Sequence, residues 1–178
     1  MHTFPKSYID YLVEFHGSRD YFECHELLEE YWKEHPEDPL EQTWVGLIQL
    51  AVGQYHARRG NLRGAEKMLQ QAEKKLSNAP LDNLGIDWVS LQRQLSTKLA
   101  QLTQRTVTPY IDIDLNITNE DLKTACTAAC AQRGFIWGTP SPMQDESIIH
   151  RHTKRDRSDV IAARQHALLA KKRERNGM

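Results

Sequence analysis

The sequence predicts an all-α protein: a compact antiparallel multi-helix bundle over residues 1–104, with a helical and partly extended C-terminal appendage over 105–178. Three observations carry that reading. Apolar residues recur at helical spacing through five successive segments, each bounded by a capping residue, a glycine or a proline. The connections between them are short, as in bundles whose neighbouring helices run antiparallel. Alternation of period two, the mark of an extended chain, is confined to residues 110–117.

Pro5 suits the first turn of a helix in which Tyr8, Tyr11, Leu12 and Phe15 share a face, and Gly17 is expected to stop it. The next helix starts near Asp20. Cys24, His25, Leu28 and Trp32 fall on one broad stripe with Tyr21, and Glu29 flanks it. Glu23, Glu30 and Glu34 fall on the opposite side, with Glu26 turned well away from the stripe. His35-Pro36 ends this helix, because the residue before proline avoids the α region.

Asp38-Pro39-Leu40-Glu41 reads as a capping aspartate, a first-turn proline and a glutamate three residues after the cap. The helix it opens is apolar on most sides (Trp44, Val45, Leu47, Ile48, Leu50, Ala51, Val52) and is therefore the most buried. Gly60-Asn61 closes it and caps a helix with Ala65, Met68, Leu69, Ala72 and Leu76 inward. Asn78-Ala79-Pro80 breaks that one, and Gly85-Ile86-Asp87 leads into a helix with Trp88, Leu91, Leu95, Leu99 and Leu102 as its seam.

In the appendage, Tyr110 to Ile117 alternates as a strand or extended arm. Thr118-Asn119-Glu120-Asp121 reads as a capping box for a helix carrying Leu122, Ala125, Cys126 and Ala129, ended by Gly134. Phe135-Ile136-Trp137 forms a small apolar plug before the loop Gly138 to Pro142. Ser158 caps a last helix to about Arg175, whose thin apolar seam (Ile161, Leu168, Leu169) needs something to dock on.

The net charge of −1 hides an asymmetry: residues 151–178 carry nine Lys/Arg against three carboxylates, +6, which leaves −7 on residues 1–150. Such a contrast reads as an interaction arm that packs on its own acidic body or on a partner subunit or other protein. The arm would also suit nucleic-acid phosphates, but it has no aromatics for stacking and the acidic body repels a polyanion. No run approaches the roughly 20 apolar residues of a membrane span, and the first residues lack a signal-peptide apolar stretch. Cys24, Cys126 and Cys130 form no CxxC, so neither a disulfide framework nor a zinc ribbon is indicated and a cytoplasmic setting is expected.

The chemistry-bearing residues are Tyr21, His25, Glu26, Glu29, Trp32, Gln49 and His56, polar groups set beside apolar faces. An unpaired buried polar atom costs about 1–3 kcal/mol, so they form a self-satisfied network or line a small pocket. The expected role is a non-catalytic binding or assembly module with no cofactor. The competing reading is a hydrolase in which His25, Glu29 and His56 hold a divalent metal and Glu26 is the base. Against it, Glu29 stands where the zinc-protease pattern needs a second histidine, and the paired Glu-x-x-His of a di-iron bundle is missing. Asp112-x-Asp114-x-Asn116 begins like a calcium loop but has Ile117 and Lys123 where that loop needs glycine and glutamate. His150-x-His152 with His166 could capture a metal weakly, but a tail rich in polar residues is the simpler account. Leu47 to Leu76 looks like one tetratricopeptide-type hairpin with Gly64 and Ala65 at its crossing, where a solenoid needs about three.

Tyr21-Phe22-Glu23-x-His25-Glu26-x-Leu28-Glu29-x-x-Trp32 resembles the signature of the bacterial and archaeal family called domain of unknown function 309. Gly46-Leu47-Ile48-Gln49-Leu50-Ala51, His56-x-Arg58-Arg59-Gly60-Asn61 and Gly85-Ile86-Asp87-Trp88 resemble it too. The resemblance covers about residues 10–104 and implies an all-helical domain, without bringing an activity. Residues from about 105 onward look like the extension of Bacillus-type members.

Overall fold

Pro5 stands at the N-cap of α1 (Lys6–Val13), which buries Tyr8, Tyr11, Leu12 and Val13, in a computed structural model that describes residues 3–154 and 158–176. Gly17 does not stop this segment. The chain continues through a π turn, Glu14–Ser18, and Arg19 closes it in the left-handed region at φ 59°. Gly17 serves space instead: a Cβ there would meet Phe135 Cβ at 3.0 Å and Cys130 Sγ at 3.2 Å.

Asp20 caps α2 (Tyr21–Glu34) by accepting the Glu23 N–H. Helix α3 (Glu41–Arg58) begins after Leu40, so Asp38 sits one step further out than a cap. There it accepts the Leu40 N–H at 2.8 Å and the Trp44 indole N–H at 2.9 Å, fixing the turn before the helix. Gly60, at φ +86°, supplies the left-handed residue that closes α3, and Asn61 accepts the Gly64 N–H to start α4 (Leu62–Leu76). Asp87 does the same for Ser90 at the head of α5 (Trp88–Gln104).

Helix α3 is the central element. It packs against α2 on one side and α4 on the other, while α5 packs on α4. The close approach of α3 and α4 lies at Gly46 and Gly53, not at Gly64, whose neighbour is its own cap Asn61. A Cβ on Gly53 would come 2.5 Å from Leu69 Cδ2 and 2.7 Å from its Cγ. Gly53→Ala is therefore expected to destabilise the fold by about 1–3 kcal/mol from overpacking, partly offset by alanine's better helix propensity. A urea titration checks this, and an unchanged or raised midpoint would mean that α4 moves aside freely.

After α5 the chain runs back as an extended arm and then forms α6 (Glu120–Gln132), which packs on α1. Ile113, Leu115 and Ile117 are buried in the same apolar cluster as Tyr8, Trp44 and Leu95, whereas Ile111 is exposed. The arm makes one isolated antiparallel bridge, Ile117 with Ile86, and no strand forms among the described residues. Side chains supply the hydrogen bonds a sheet would have given. Gln94 donates to the Asp114 carbonyl at 2.8 Å and accepts the Asp114 N–H at 2.9 Å; His16 Nε2 accepts the Leu115 N–H at 3.0 Å.

Three local expectations in the appendage shift. Asn119, not Thr118, caps α6; Ala125 points to solvent while Cys126 and Cys130 are buried; and Ile136 leaves the apolar plug. Trp137 stays, stacked on the His16 ring at 4.1 Å. Short helices α7 (Glu146–Ile149) and α8 (Arg151–Lys154) precede α9 (Ser158–Asn176), in which residues 164–174 are all exposed. Arg155, Asp156 and Arg157 of the basic stretch, and the side chain of Ile161, lie outside the described residues. Among the described residues no helix is long and apolar enough to cross a membrane.

Candidate functional site

Because Tyr21, Phe22 and His25 share one edge of α2, and Val52, Tyr55 and His56 one edge of α3, the two helices enclose a cleft of 170 Å³. His152 of α8 closes it. Its backbone N–H donates to the Tyr55 hydroxyl at 3.2 Å, and its Nδ1 pairs with the same hydroxyl. His25 Nε2 lies 2.6 Å from Glu29 Oε2, and Lys33 Nζ lies 2.6 Å from Glu29 Oε1. Lys33, followed by His25, holds the Glu29 carboxyl below its ordinary pKa against the opposing effect of burial. The other His25 nitrogen, Nδ1, is buried without a hydrogen-bond partner. His56 faces the cleft with Nδ1 at 3.2 Å from the Asn61 amide, and burial, with Arg59 nearby, lowers its pKa.

The structure thus brings Tyr21, His25 and His56 to one cleft, with Glu29 behind His25. The other residues singled out from the sequence stand apart. Gln49 donates to Gln71 Oε1 at 2.9 Å across α3 and α4, and Trp32 donates to Glu41 Oε1 at 3.3 Å. Glu26 is not among the lining residues. Among the described residues no three His, Cys, Asp or Glu side chains converge as a metal-holding group. Phe22, Val52, Tyr55 and, from the tail, His152 complete the cleft from outside the expected site residues.

A larger polar network lies beneath the arm, and Asp112 is its hub. Asp112 Oδ1 accepts from Tyr21 at 2.7 Å, Tyr110 at 2.9 Å and Ser141 Oγ at 2.5 Å, and Oδ2 accepts the Ser141 N–H at 2.8 Å. Burial alone would raise the Asp112 pKa; the hydrogen bonds from Ser141 and Tyr21 outweigh it and hold the carboxyl below its ordinary value. Arg19, 2% exposed, pairs with Asp114 at 2.8 Å, sits 3.9 Å from Asp112, and donates to the Thr139 carbonyl at 2.8 Å. Arg58 donates to the carbonyl of Arg19 at 2.6 Å, which holds the left-handed turn, and to Ser141 Oγ at 3.1 Å. Its guanidinium also lies 4.7 Å over the Tyr21 ring.

The same network reaches the tail. Arg151 pairs with Asp20, whose other oxygen caps α2, and with Glu23 at 3.0 Å. Groups from the π turn, α2, α3, the arm, the loop before α7 and α8 are therefore tied together. Chemically this is a clamp: it fixes the appendage on the bundle and leaves residues 164–174 of α9 exposed.

"Uncharacterized protein YpuF" of Bacillus subtilis is 42% identical to this chain over 175 residues, which is 97% of this chain and 99% of YpuF. The family described as Domain of unknown function (DUF309) matches residues 8–68. The chain belongs to the DUF309 family. An "Uncharacterized protein" of Aquifex aeolicus is 29% identical over 83 residues, 44% of this chain and 25% of that protein. No solved structure matches the chain. The DUF309 segment holds Arg19, Tyr21, His25, Tyr55, His56 and Arg58, one half of the clamp and most of the cleft. Asp112, Ser141, Arg151 and His152 lie beyond it, within the length shared with YpuF.

Proposed function

We propose that this DUF309 protein is a non-catalytic assembly module whose helical body clamps the C-terminal segment and presents α9 to a protein partner. The observation that carries the reading is the exposure of α9: residues 164–174 are exposed throughout, with Leu168 at 68% and Leu169 at 55%. An isolated helix of 19 residues is marginal in water and gains stability from packing an apolar face. Adjacent leucines flanked by Arg164, Lys171, Lys172 and Arg173 suit an acidic surface with an apolar centre. The chain's own body, at −7, offers such charge, so a second copy is the partner that this pattern favours. Nucleic acid fits less well, since residues 151–178 contain no Phe, Trp or Tyr.

In light scattering at low salt the full chain is expected to have the mass of a dimer or larger. The double variant Leu168→Asp, Leu169→Asp is expected to be monomeric with an unchanged melting temperature. An unchanged mass for that variant would overturn the reading.

A further inference from the structure

On the far side of α3 from the histidine cleft, a cavity of 220 Å³ lies between α3, α4, α5 and the chain leaving α5. Ala57, Leu62, Leu102, Val107 and Pro109 give it apolar walls, and Lys98 is the one lysine in its lining, beside Tyr110 and Ile111, which its Nζ contacts. Lys98 Nζ donates to Gln54 Oε1 at 3.0 Å and to the Ile111 carbonyl, and it lies 4.3 Å over the Tyr110 ring. Both acceptors are neutral. A neutral amine can keep both of these bonds with its two hydrogens and still have a lone pair, so the contacts that anchor the arm do not require the ammonium form. A desolvated lysine beside an apolar cavity is the arrangement in which lysine acts as a nucleophile toward carbonyl carbon.

We propose that Lys98 is a carbonyl-reactive amine and that this cavity binds a small apolar aldehyde as a reversible imine. The neutral Nζ attacks the carbonyl carbon, forming the C–N bond while the oxygen takes one amine hydrogen. The resulting hydroxyl then leaves as water with the second amine hydrogen, the C=N bond forms, and Nζ gives up its hydrogen bonds to Gln54 and the Ile111 carbonyl. No oxidant or further reactant is required. The volume, below the roughly 300–1,000 Å³ of drug-sized sites, limits the ligand to a small molecule. Burial supports the chemistry by pushing the Lys98 pKa down to about 8, with Asp112 pulling the other way. At neutral pH this gives about two orders of magnitude more neutral amine than an ordinary lysine has.

The full chain is incubated at neutral pH with isovaleraldehyde and cyanoborohydride, which reduces an imine to a stable secondary amine, and labelled lysines are located by peptide mass mapping. Lys98 is expected to label about tenfold or more faster than the exposed Lys67 and Lys123, with half-maximal rate near its lowered pKa. Leu62→Trp, at a half-exposed wall position, fills the cavity and is expected to bring Lys98 down to the rate of the exposed lysines. Labelling of Lys98 no faster than Lys67, or equally fast in Leu62→Trp, would overturn the proposal.

Discussion

Asp112→Ala is expected to destabilise the fold by about 3–5 kcal/mol, the size seen when one partner of a buried charged network is removed. The substitution leaves the Tyr21 and Tyr110 hydroxyls and both Ser141 groups without their acceptor. It also leaves Arg19 buried with Asp114 as its remaining carboxylate. Arg19 Nη1 and Arg58 Nε already lack hydrogen-bond partners, so the site has no spare acceptor to offer. For a chain of this length each kcal/mol moves the melting temperature by about 2–4 °C, so a fall of roughly 10 °C is expected. Tyr21→Phe and Tyr110→Phe remove one hydroxyl each and should cost about 1 kcal/mol apiece. Denaturant titration of the three variants checks the order, and a loss under about 1 kcal/mol for Asp112→Ala would show that the arm is not clamped by this carboxylate.

The second large effect is a loss of stability in mild acid that traces to His16. Its ring is 2% exposed, donates through Nδ1–H to the Leu12 carbonyl at 2.9 Å, and accepts the Leu115 N–H on Nε2. A protonated ring has no acceptor to offer Leu115. Burial lowers the His16 pKa from 6.5 to about 4; Arg19 also disfavours the charged form, while Asp114 and the Leu12 carbonyl favour it. The folded protein therefore binds this proton more weakly than the unfolded chain does. The neutral ring's contribution is complete above pH 6.5 and is lost progressively as the pH falls toward 4. The span amounts to about 3 kcal/mol. Unfolding free energy measured across that interval should fall with pH in the parent and fall much less steeply in His16→Asn. Equal slopes in the two proteins would contradict a buried neutral His16.

The local parts of this fold are legible because helix caps and apolar stripes are local signals. Asp20, Asn61 and Asp87 cap as their positions suggest, and the apolar run from Trp44 to Val52 does mark the central helix. What escapes such reading depends on which element covers which face. Gln49 is expected in the same polar cluster as His25 and His56, yet that side of α3 is covered by α4 and its amide meets Gln71. Tyr55 and His152 meet across 97 residues of sequence, a distance over which no periodicity carries information. Asp112 reads as the start of a failed calcium loop, although Arg19, a cation that the bundle buries, needed a carboxylate beside it. Gly17 shows the same limit: glycine signals a stop in a helix, whereas here it makes room for Phe135, more than a hundred residues away.

The assembly reading is tested most directly by sedimentation velocity on the full chain and on a chain ending at Lys154, each at low and high salt. The account predicts a dimer or larger species for the full chain at low salt, weakened at high salt as surface charges are screened. It predicts a monomer of unchanged melting temperature for the shortened chain, because Arg151 and His152 retain their places on the body. A full chain that sediments as a monomer at low salt, or a shortened chain that keeps the larger mass, would contradict it.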